Sequence, residues 1–239
     1  MDEARVAVVL GGAGKVGSAI ALAFLRDGAR VVVPSRSRER LARLERLAGE
    51  TGRLWTLGAD VGDEAGAQGV LGQVLDRFGA YDTAVVALGS FWRGPSAVQT
   101  PLEAWRERLA ENLLTHVIAA RVFLPPLFAR DGSCYIDING LAAEAPRPGS
   151  APITVTGAAQ DMLARQLAAE HRGAAVRIVR VMLGPVRTDE SDPAVYEEHP
   201  EWLTAAEVGE FVALLASERC RMVHDTLIQL PYRPATMPS

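Results

Sequence analysis

Hydrophobic side chains gather in seven short runs that are separated by longer amphipathic stretches. The runs are rich in β-branched residues and several are apolar throughout, which is typical of strands covered on both faces. The stretches between them have the spacing of helices. Regular alternation of this kind predicts an α/β fold with a doubly wound parallel sheet of about seven strands and helices on both faces. The predicted strands span residues 5–10, 30–34, 54–59, 83–88, 133–138, 176–182 and 226–229.

Several helix starts carry capping signals. Thr100-Pro101-Leu102-Glu103 and Thr204-Ala205-Ala206-Glu207 each have the threonine and glutamate of a capping box, and the first also has proline at the first helical position. Ser37 and Asp63 precede two other helical patterns and are predicted to cap them. These signals predict where four helices begin.

One predicted helix, near residues 64–78, has an unusual content of glycine. Each interior glycine costs a helix about 1 kcal/mol relative to alanine. The helix is therefore expected to depend on the packing of Val70, Val74 and Phe78. The three glycines are Gly66, Gly69 and Gly72.

Composition adds limits to this picture. The chain has 239 residues, no internal composition shift, and no apolar run near the ~18 residues of a membrane span, so a single domain over residues 1–239 is expected. The acidic start, MDEARVAVVL, enters a strand directly and does not resemble a secretory signal, which favours a cytoplasmic protein. The net charge of −4 gives no reason to expect binding to nucleic acid. Cys134 and Cys220 are interpreted as buried, reduced thiols without metal.

A glycine-rich turn joins the first strand to the first helix. Glycines at positions 12, 14 and 17 fit G-x-G-x-x-G, and those at 11, 14 and 17 fit G-x-x-G-x-x-G. Between a strand and a helix, this pattern predicts a Rossmann-type dinucleotide site, with a pyrophosphate at the helix N-terminus. The alternative is a turn that serves packing only. The predicted contacts are Gly11, Gly14, Lys15, Val16 and Gly17.

The end of the second strand predicts which dinucleotide binds. An acidic residue there would hold the ribose 2′-hydroxyl of NAD. The chain instead has Ser35 and Arg36, and a guanidinium can bind a 2′-phosphate with two hydrogen bonds. Lys15 provides a second cation. NADP(H) is therefore the predicted cofactor.

From about residue 5 to residue 230, the chain resembles the short-chain dehydrogenase/reductase superfamily. Asp60-Val61 resembles the pair that contacts adenine, and Asn112 falls where the family has an asparagine in its fourth helix. Gly184-Pro185-Val186-Arg187-Thr188 resembles the segment that lines the nicotinamide pocket. The resemblance implies that Ala87, Leu88 and Thr188 also contact the cofactor, and that residues 189–203 form a substrate lid.

The catalytic positions of the family hold other residues in this chain. The family's serine after the fifth strand aligns with Gly140, and its Tyr-x-x-x-Lys motif aligns with Ile153 and Gly157. Lys15 is the only lysine in the chain and replaces one of the family's glycines, so no Tyr-x-x-x-Lys exists at any alignment. The resemblance therefore implies an atypical member without the usual Ser, Tyr and Lys.

Loss of a general acid typically lowers a rate by 10²–10⁴-fold. Holding hydride donor and acceptor together still lowers the barrier by up to roughly 7–11 kcal/mol. Ordinary ketone reduction is disfavoured, whereas an acceptor that is already positive, such as an iminium, needs no protein acid at the hydride step.

The sequence contains weak candidates for a replacement acid, each with a structural alternative. Packing is the alternative for a histidine, strand-end hydrogen bonding for the polar residues of the fifth strand, and helix capping for the threonines. Asn112 and His116 share a helix face and are the two weak catalytic candidates. The other candidates are Asp137, Asn139, Thr154, Thr156 and the lid residue Tyr196.

Three functions are consistent with these residues: an atypical NADP(H)-dependent oxidoreductase, a non-catalytic NADP(H)-responsive protein, and a cofactor-free scaffold on the same fold. The resemblance implies a homodimer or homotetramer, and Met162, Leu163 and Leu167 are positioned to serve either the core or an interface. The expected partner is a small-molecule substrate of unknown identity, with no nucleic acid and no membrane.

Overall fold

The structure is a computed structural model that describes residues 4–189 and 197–231. Its centre is a seven-stranded parallel sheet in the order β3-β2-β1-β4-β5-β6-β9. This confirms the predicted doubly wound α/β fold, and each predicted strand overlaps an observed one. The strands are β1 Val6–Leu10, β2 Arg30–Ser35, β3 Leu54–Gly58, β4 Thr83–Val86, β5 Cys134–Gly140, β6 Arg177–Leu183 and β9 Thr226–Leu230, and the short strands β7 Val186–Arg187 and β8 Leu203–Thr204 pair with each other.

Helices cover both faces of the sheet. The apolar residues of α1, α2 and α7 form one core layer with the sheet, and those of α3 and α5 form the main part of the other. A π-helical turn, Leu109–Leu114, connects α4 to α5 and is called the π turn below. The helices are α1 Lys15–Arg26, α2 Arg38–Ala48, α3 Glu64–Phe78, α4 Leu102–Arg108, α5 Thr115–Phe123, α6 Ala151–Glu170 and α7 Ala205–Ala216.

Three of the four predicted caps are confirmed. Ser37 and Asp63 accept hydrogen bonds from backbone N–H groups in the first turns of α2 and α3, and Thr204 forms a complete capping box with Glu207. The predicted box at Thr100 is wrong.

The Thr100 hydroxyl donates to the backbone carbonyl of Ser96 at 3.0 Å, so it faces the preceding turn instead of the helix. Glu103 pairs with Arg106 on the helix surface, at 3.5 Å. Helix α4 therefore begins without a side-chain cap.

The two thiols differ in their surroundings. Cys134 is fully buried on β5, and burial raises the pKa of its thiol to about 11. Cys220 is only half-buried, so the prediction of a buried thiol is wrong at this position, and neither cysteine forms a disulfide. Within residues 4–189 and 197–231, no helix is long and apolar enough to cross a membrane. Tyr196 and part of the predicted lid lie outside the described residues.

Candidate cofactor and substrate site

The strand order reverses between β1 and β4, and parallel sheets bind ligands at the carboxyl end of such a switch point. The glycine turn after β1 lies at this edge. Gly11 has φ +81°, and a Cβ at this position would lie 2.2 Å from the carbonyl oxygen of Ala87. A Cβ on Gly17 would lie 2.1 Å from the carbonyl oxygen of Gly11. Gly11 is therefore required for the turn to close against the loop after β4, and Gly17 is required for the first turn of α1 to pack against the glycine turn itself.

The first turn of α1 faces the same edge. Gly14 is its N-cap and has no side chain that could satisfy the N–H groups of Lys15, Val16 and Gly17. These donors are suited to an anion such as a pyrophosphate. Lys15 is exposed, so its side chain does not fill the glycine turn.

Arg36 and Asp60 follow the adjacent strands β2 and β3. Their side chains form an ion pair at 3.6 Å, with 70% of the Arg36 side chain and 42% of the Asp60 side chain exposed. Exposed pairs contribute only about 0–1 kcal/mol, so Arg36 can exchange this partner for a phosphate at low cost. Ser35 is half-buried, and its hydroxyl accepts a hydrogen bond from the Ser37 N–H at 3.2 Å.

The remaining predicted cofactor contacts differ in burial. Val61 is 7% exposed and belongs to the core, whereas Ala87 and Leu88 are half-buried in the loop after β4. Thr188 is half-buried after β7. The next residue, Asp189, pairs with Arg43 of α2 at 3.5 Å. The segment that leads into the predicted lid is therefore attached to the helix that follows Arg36.

Asn112 lies in the π turn and is buried. Its Oδ1 accepts a hydrogen bond from the Ser90 N–H at 2.8 Å, and its Nδ2 donates to the Ser90 carbonyl at 3.1 Å. Its own backbone carbonyl accepts a hydrogen bond from Gln160 of α6. Asn112 therefore connects the loop after β4 to the π turn and to α6. Sequence reasoning missed both partners, and a glutamine on the buried face of α6 was the only available signal for Gln160.

His116 forms a buried pair with Asp137. Its Nδ1 lies 2.7 Å from Asp137 Oδ1, and its Nε2 lies 3.2 Å from the Leu88 carbonyl oxygen. Burial alone would lower the pKa of His116, but the Asp137 carboxylate and the hydrogen bonds to Asp137 and Leu88 raise it overall. His116 is 1% exposed, and its hydrogen bond to the Leu88 carbonyl anchors the loop after β4.

The polar residues around α6 bond to backbone. Asn139 donates to the Gly157 carbonyl at 2.8 Å and accepts from the Gly140 N–H at 2.7 Å. A Cβ on Gly157 would lie 3.1 Å from the Cβ of Ala143 and 3.2 Å from Asn139 Oδ1. Asn139 and Ala143 thus occupy the space where a longer side chain at position 157 would begin.

Neither threonine of α6 caps the helix, so the prediction of capping is wrong. The Thr156 hydroxyl donates to the Pro152 carbonyl at 2.7 Å, inside the helix, and the Thr154 hydroxyl is buried without a hydrogen-bond partner. The N-cap residue, Ser150, makes no side-chain cap hydrogen bond.

Tyr81 and Tyr135 are the tyrosines in the described part of the chain. Both are buried in the core beside β4 and β5, and burial raises the pKa of each phenol above its ordinary value. Neither is positioned to exchange protons with a ligand in an open cleft.

A cavity of about 240 Å³ lies at the start of α6, against Ile153. One wall comes from the loop after β4 and the other from the segment that leads into α6. The lining combines two arginines with apolar groups and contains no acidic residue: Phe91, Arg93, Ala142, Arg147, Pro148, Ser150 and Ile153.

A larger concavity of about 360 Å³ lies against the first residues of β2 and β3, next to Trp55 and Arg77. This is the amino end of the sheet. The glycine turn, Arg36 and Ile153 belong to the opposite, carboxyl end, where ligands bind in folds of this type. The smaller cavity is therefore the candidate substrate site.

Known proteins have the same architecture. A family model described as Enoyl-(Acyl carrier protein) reductase matches residues 11–229. An uncharacterised oxidoreductase, YvrD, from Bacillus subtilis is 30% identical over 188 residues, which are 77% of this chain and 70% of the relative. The family model spans the glycine turn from Gly11 onwards and the start of α6.

Solved structures agree at the level of the fold. ElxO with NADP bound superposes with a TM-score of 0.86 at 19% identity, covering 95% of this chain and 97% of ElxO. A 7α-hydroxysteroid dehydrogenase complexed with NADH and 7-oxo glycochenodeoxycholic acid gives 0.84 at 17% identity, covering 95% of this chain and 92% of that one. With these matches added to the glycine turn and the seven-stranded sheet, the chain belongs to the short-chain dehydrogenase/reductase superfamily, within the family whose model carries the enoyl-(acyl carrier protein) reductase description.

Proposed function

We propose that this protein is an NADP(H)-dependent oxidoreductase that transfers hydride without the tyrosine acid implied by the family resemblance. The observation that carries the cofactor assignment is Arg36, an exposed guanidinium directly after β2 at the position where an NAD-binding chain would have an acid. Relatives of this fold are described with NADP or with NADH, so residues of this chain must provide the preference.

The described residues fit a dinucleotide. The uncapped first turn of α1 receives the pyrophosphate, and the Arg36 guanidinium binds the 2′-phosphate, assisted by Ser35 and Lys15. The backbone around Leu88, held by His116, borders the nicotinamide. When bound, the cofactor supplies a hydride donor or acceptor. The residues proposed to hold it are Gly11, Gly14, Lys15, Val16, Gly17, Ser35, Arg36, Asp60, Val61, Ala87, Leu88 and Thr188.

Proton delivery separates this chain from the family pattern. Gly140, Ile153 and Gly157 have no side chain that exchanges a proton, and Asn112 and His116 are committed to backbone and to Asp137. The protein therefore binds and orients its substrate, while any proton comes from solvent. An acceptor that is already protonated, such as an iminium, is suited to this site.

Binding of NADPH and NADH, followed by nicotinamide fluorescence, tests the cofactor assignment. Arg36→Asp is expected to weaken NADPH binding by about 10- to 100-fold, since a hydrogen bond to a charged group contributes roughly 1.5–3 kcal/mol. The same substitution is expected to strengthen NADH binding, because a carboxylate can hold the 2′-hydroxyl. Arg46→Asp, in the last turn of α2, makes the same charge change away from the site and should leave both affinities unaltered.

Other results of these binding measurements would favour a different function. Equal affinities of the wild type for both cofactors would overturn the role of Arg36. Saturable NADPH binding with no turnover of any carbonyl or imine would favour a non-catalytic NADP(H)-responsive protein. No binding of either cofactor would favour the cofactor-free scaffold.

Assembly and location complete the proposal. We infer a homodimer or homotetramer, supported by exposed apolar side chains on the π turn and on α6, two elements that contact each other. A cytoplasmic location is proposed because both cysteines are free thiols. No nucleic acid or membrane is expected as a partner.

A further inference from the structure

We propose that the cavity at the start of α6 binds an organic carboxylate, with Arg93 and Arg147 as the residues that recognise the anion. The inference rests on the proposed function only in treating this cavity as the substrate site. It adds a chemical class for the substrate, which the family resemblance leaves open.

The two arginines lie on loops that are fixed to each other. The Gly94 N–H donates to the Gly149 carbonyl at 2.9 Å. Gly94 directly follows Arg93, and Gly149 lies two residues after Arg147. Gly149 has φ +77°, and a Cβ there would lie 2.9 Å from the Gly94 carbonyl oxygen. This close backbone approach holds the Arg93 and Arg147 side chains at the same cavity.

Neither guanidinium makes a hydrogen bond or an ion pair with the described part of the chain. Most other arginines near this edge have partners: Arg36 pairs with Asp60, and Arg108 pairs with Glu107 and Glu111. No acid lines the cavity. Two unpaired cations of like charge at one small cavity favour an anion as the occupant.

The shape and the remaining lining favour a carboxylate with a compact apolar body. A guanidinium fork matches the two oxygens of a carboxylate. Ile153, Pro148 and the largely exposed ring of Phe91 supply apolar surface opposite it. The volume of about 240 Å³ is below the usual range for drug-sized ligands, roughly 300–1,000 Å³, so the occupant is small.

The charge also limits the hydride acceptor. A molecule with a net positive charge is repelled by Arg93 and Arg147. A protonated imine that also carries a carboxylate has no net charge. Such a substrate needs no protein acid at the hydride step, and its carboxylate can bind the two arginines.

Benzoate is the probe for this inference, with benzamide as its neutral isostere. Binding would be measured by ligand-observed saturation-transfer NMR, with and without saturating NADPH. Benzoate is expected to bind at least tenfold more tightly than benzamide, and Arg93→Gln and Arg147→Gln are each expected to weaken it by about tenfold or more. Arg219→Gln removes the same charge on the connection into the amino end of β9, and it should bind benzoate like the wild type.

Equal binding of benzoate and benzamide, or unchanged benzoate affinity in both site variants, would overturn the proposal. Tighter binding of phenyl phosphate than of benzoate would overturn the carboxylate assignment. Arginine-dependent benzoate binding in a protein that binds no NADPH would support the anion site and refute the proposed oxidoreductase. NADPH binding without benzoate binding would refute the anion site and leave the proposed cofactor assignment supported.

Discussion

At the scale of single residues, the buried pair of His116 and Asp137 supports the loop after β4 at the candidate site. The Leu88 carbonyl can only accept a hydrogen bond, so His116 must donate from Nε2 while its Nδ1 faces a carboxylate. Both contacts favour a doubly protonated ring, which agrees with the raised pKa of His116. The loop that is proposed to border the nicotinamide is therefore attached to a titratable group.

This pair predicts a pH-dependent stability. Because the folded-state pKa of His116 is raised, its stabilising contribution is complete below the unfolded value of about 6.5 and is lost as pH rises through the folded value. Between pH 6 and 8, the free energy of unfolding by urea should fall with pH, by at most about 1.4 kcal/mol per unit from this residue.

Asp137→Asn should flatten that dependence and lower the stability below pH 6.5, because an amide can accept from the imidazole or donate to it but offers no charge. His224→Gln changes an exposed histidine and should keep the wild-type profile. A wild-type stability that does not change from pH 6 to 8 would exclude a charged His116 in the fold.

At the scale of elements, the glycines of helix α3 have two different roles. A Cβ on Gly66 would lie 1.9 Å from the Asp60 carbonyl oxygen, whereas nothing lies within 4 Å of a Cβ on Gly69 or Gly72. The first glycine allows the helix to approach the loop after β3. The other two are exposed and cost helix propensity without a packing reason.

Alanine substitutions should therefore have opposite effects along α3. Gly69→Ala and Gly72→Ala are each expected to raise the free energy of unfolding by up to about 1 kcal/mol, or the melting temperature by roughly 2–4 °C for a chain of this size. Gly66→Ala should lower it, and through Asp60 it should also disturb the partner of Arg36. Calorimetric melting of the three variants checks this, and destabilisation by Gly69→Ala would contradict it.

The elements also show where sequence reasoning succeeds. Strand positions and the caps at Ser37 and Asp63 follow from patterns within a few residues, and these were predicted correctly. The Thr100 box failed because the hydroxyl is turned towards the Ser96 carbonyl, in the preceding turn, and accepts no hydrogen bond from an N–H of α4. A local sequence pattern alone does not tell which of two nearby backbone groups a side chain will hydrogen-bond.

At the scale of the whole molecule, the site is assembled from distant segments, and this part could not be predicted. Arg93 and Arg147 are separated by more than fifty residues and share a cavity only because two loop backbones bond to each other. Gln160 of α6 reaches the backbone carbonyl of Asn112 only because α6 packs against the π turn. The glycine turn was predictable because its function requires consecutive residues.

The whole molecule also presents an apolar surface on the π turn and α6. Leu114, Val155 and Met162 are 51%, 50% and 56% exposed, and Val155 and Met162 are seven residues apart on one face of α6. Exposed apolar side chains on two elements that contact each other favour a protein interface. We predict that a second copy of this chain covers them.

Light scattering after size-exclusion chromatography should give the mass of a dimer or tetramer for the wild type. Met162→Glu is expected to shift the protein towards the monomer, because a charge on this face must lose its water in the assembled state. Met222 is 84% exposed and lies on the connection before β9, so Met222→Glu provides a matched charge outside the surface and should keep the wild-type mass. A monomeric wild type would refute the interface, and a tetramer that becomes a dimer in Met162→Glu would assign α6 to one of two interfaces.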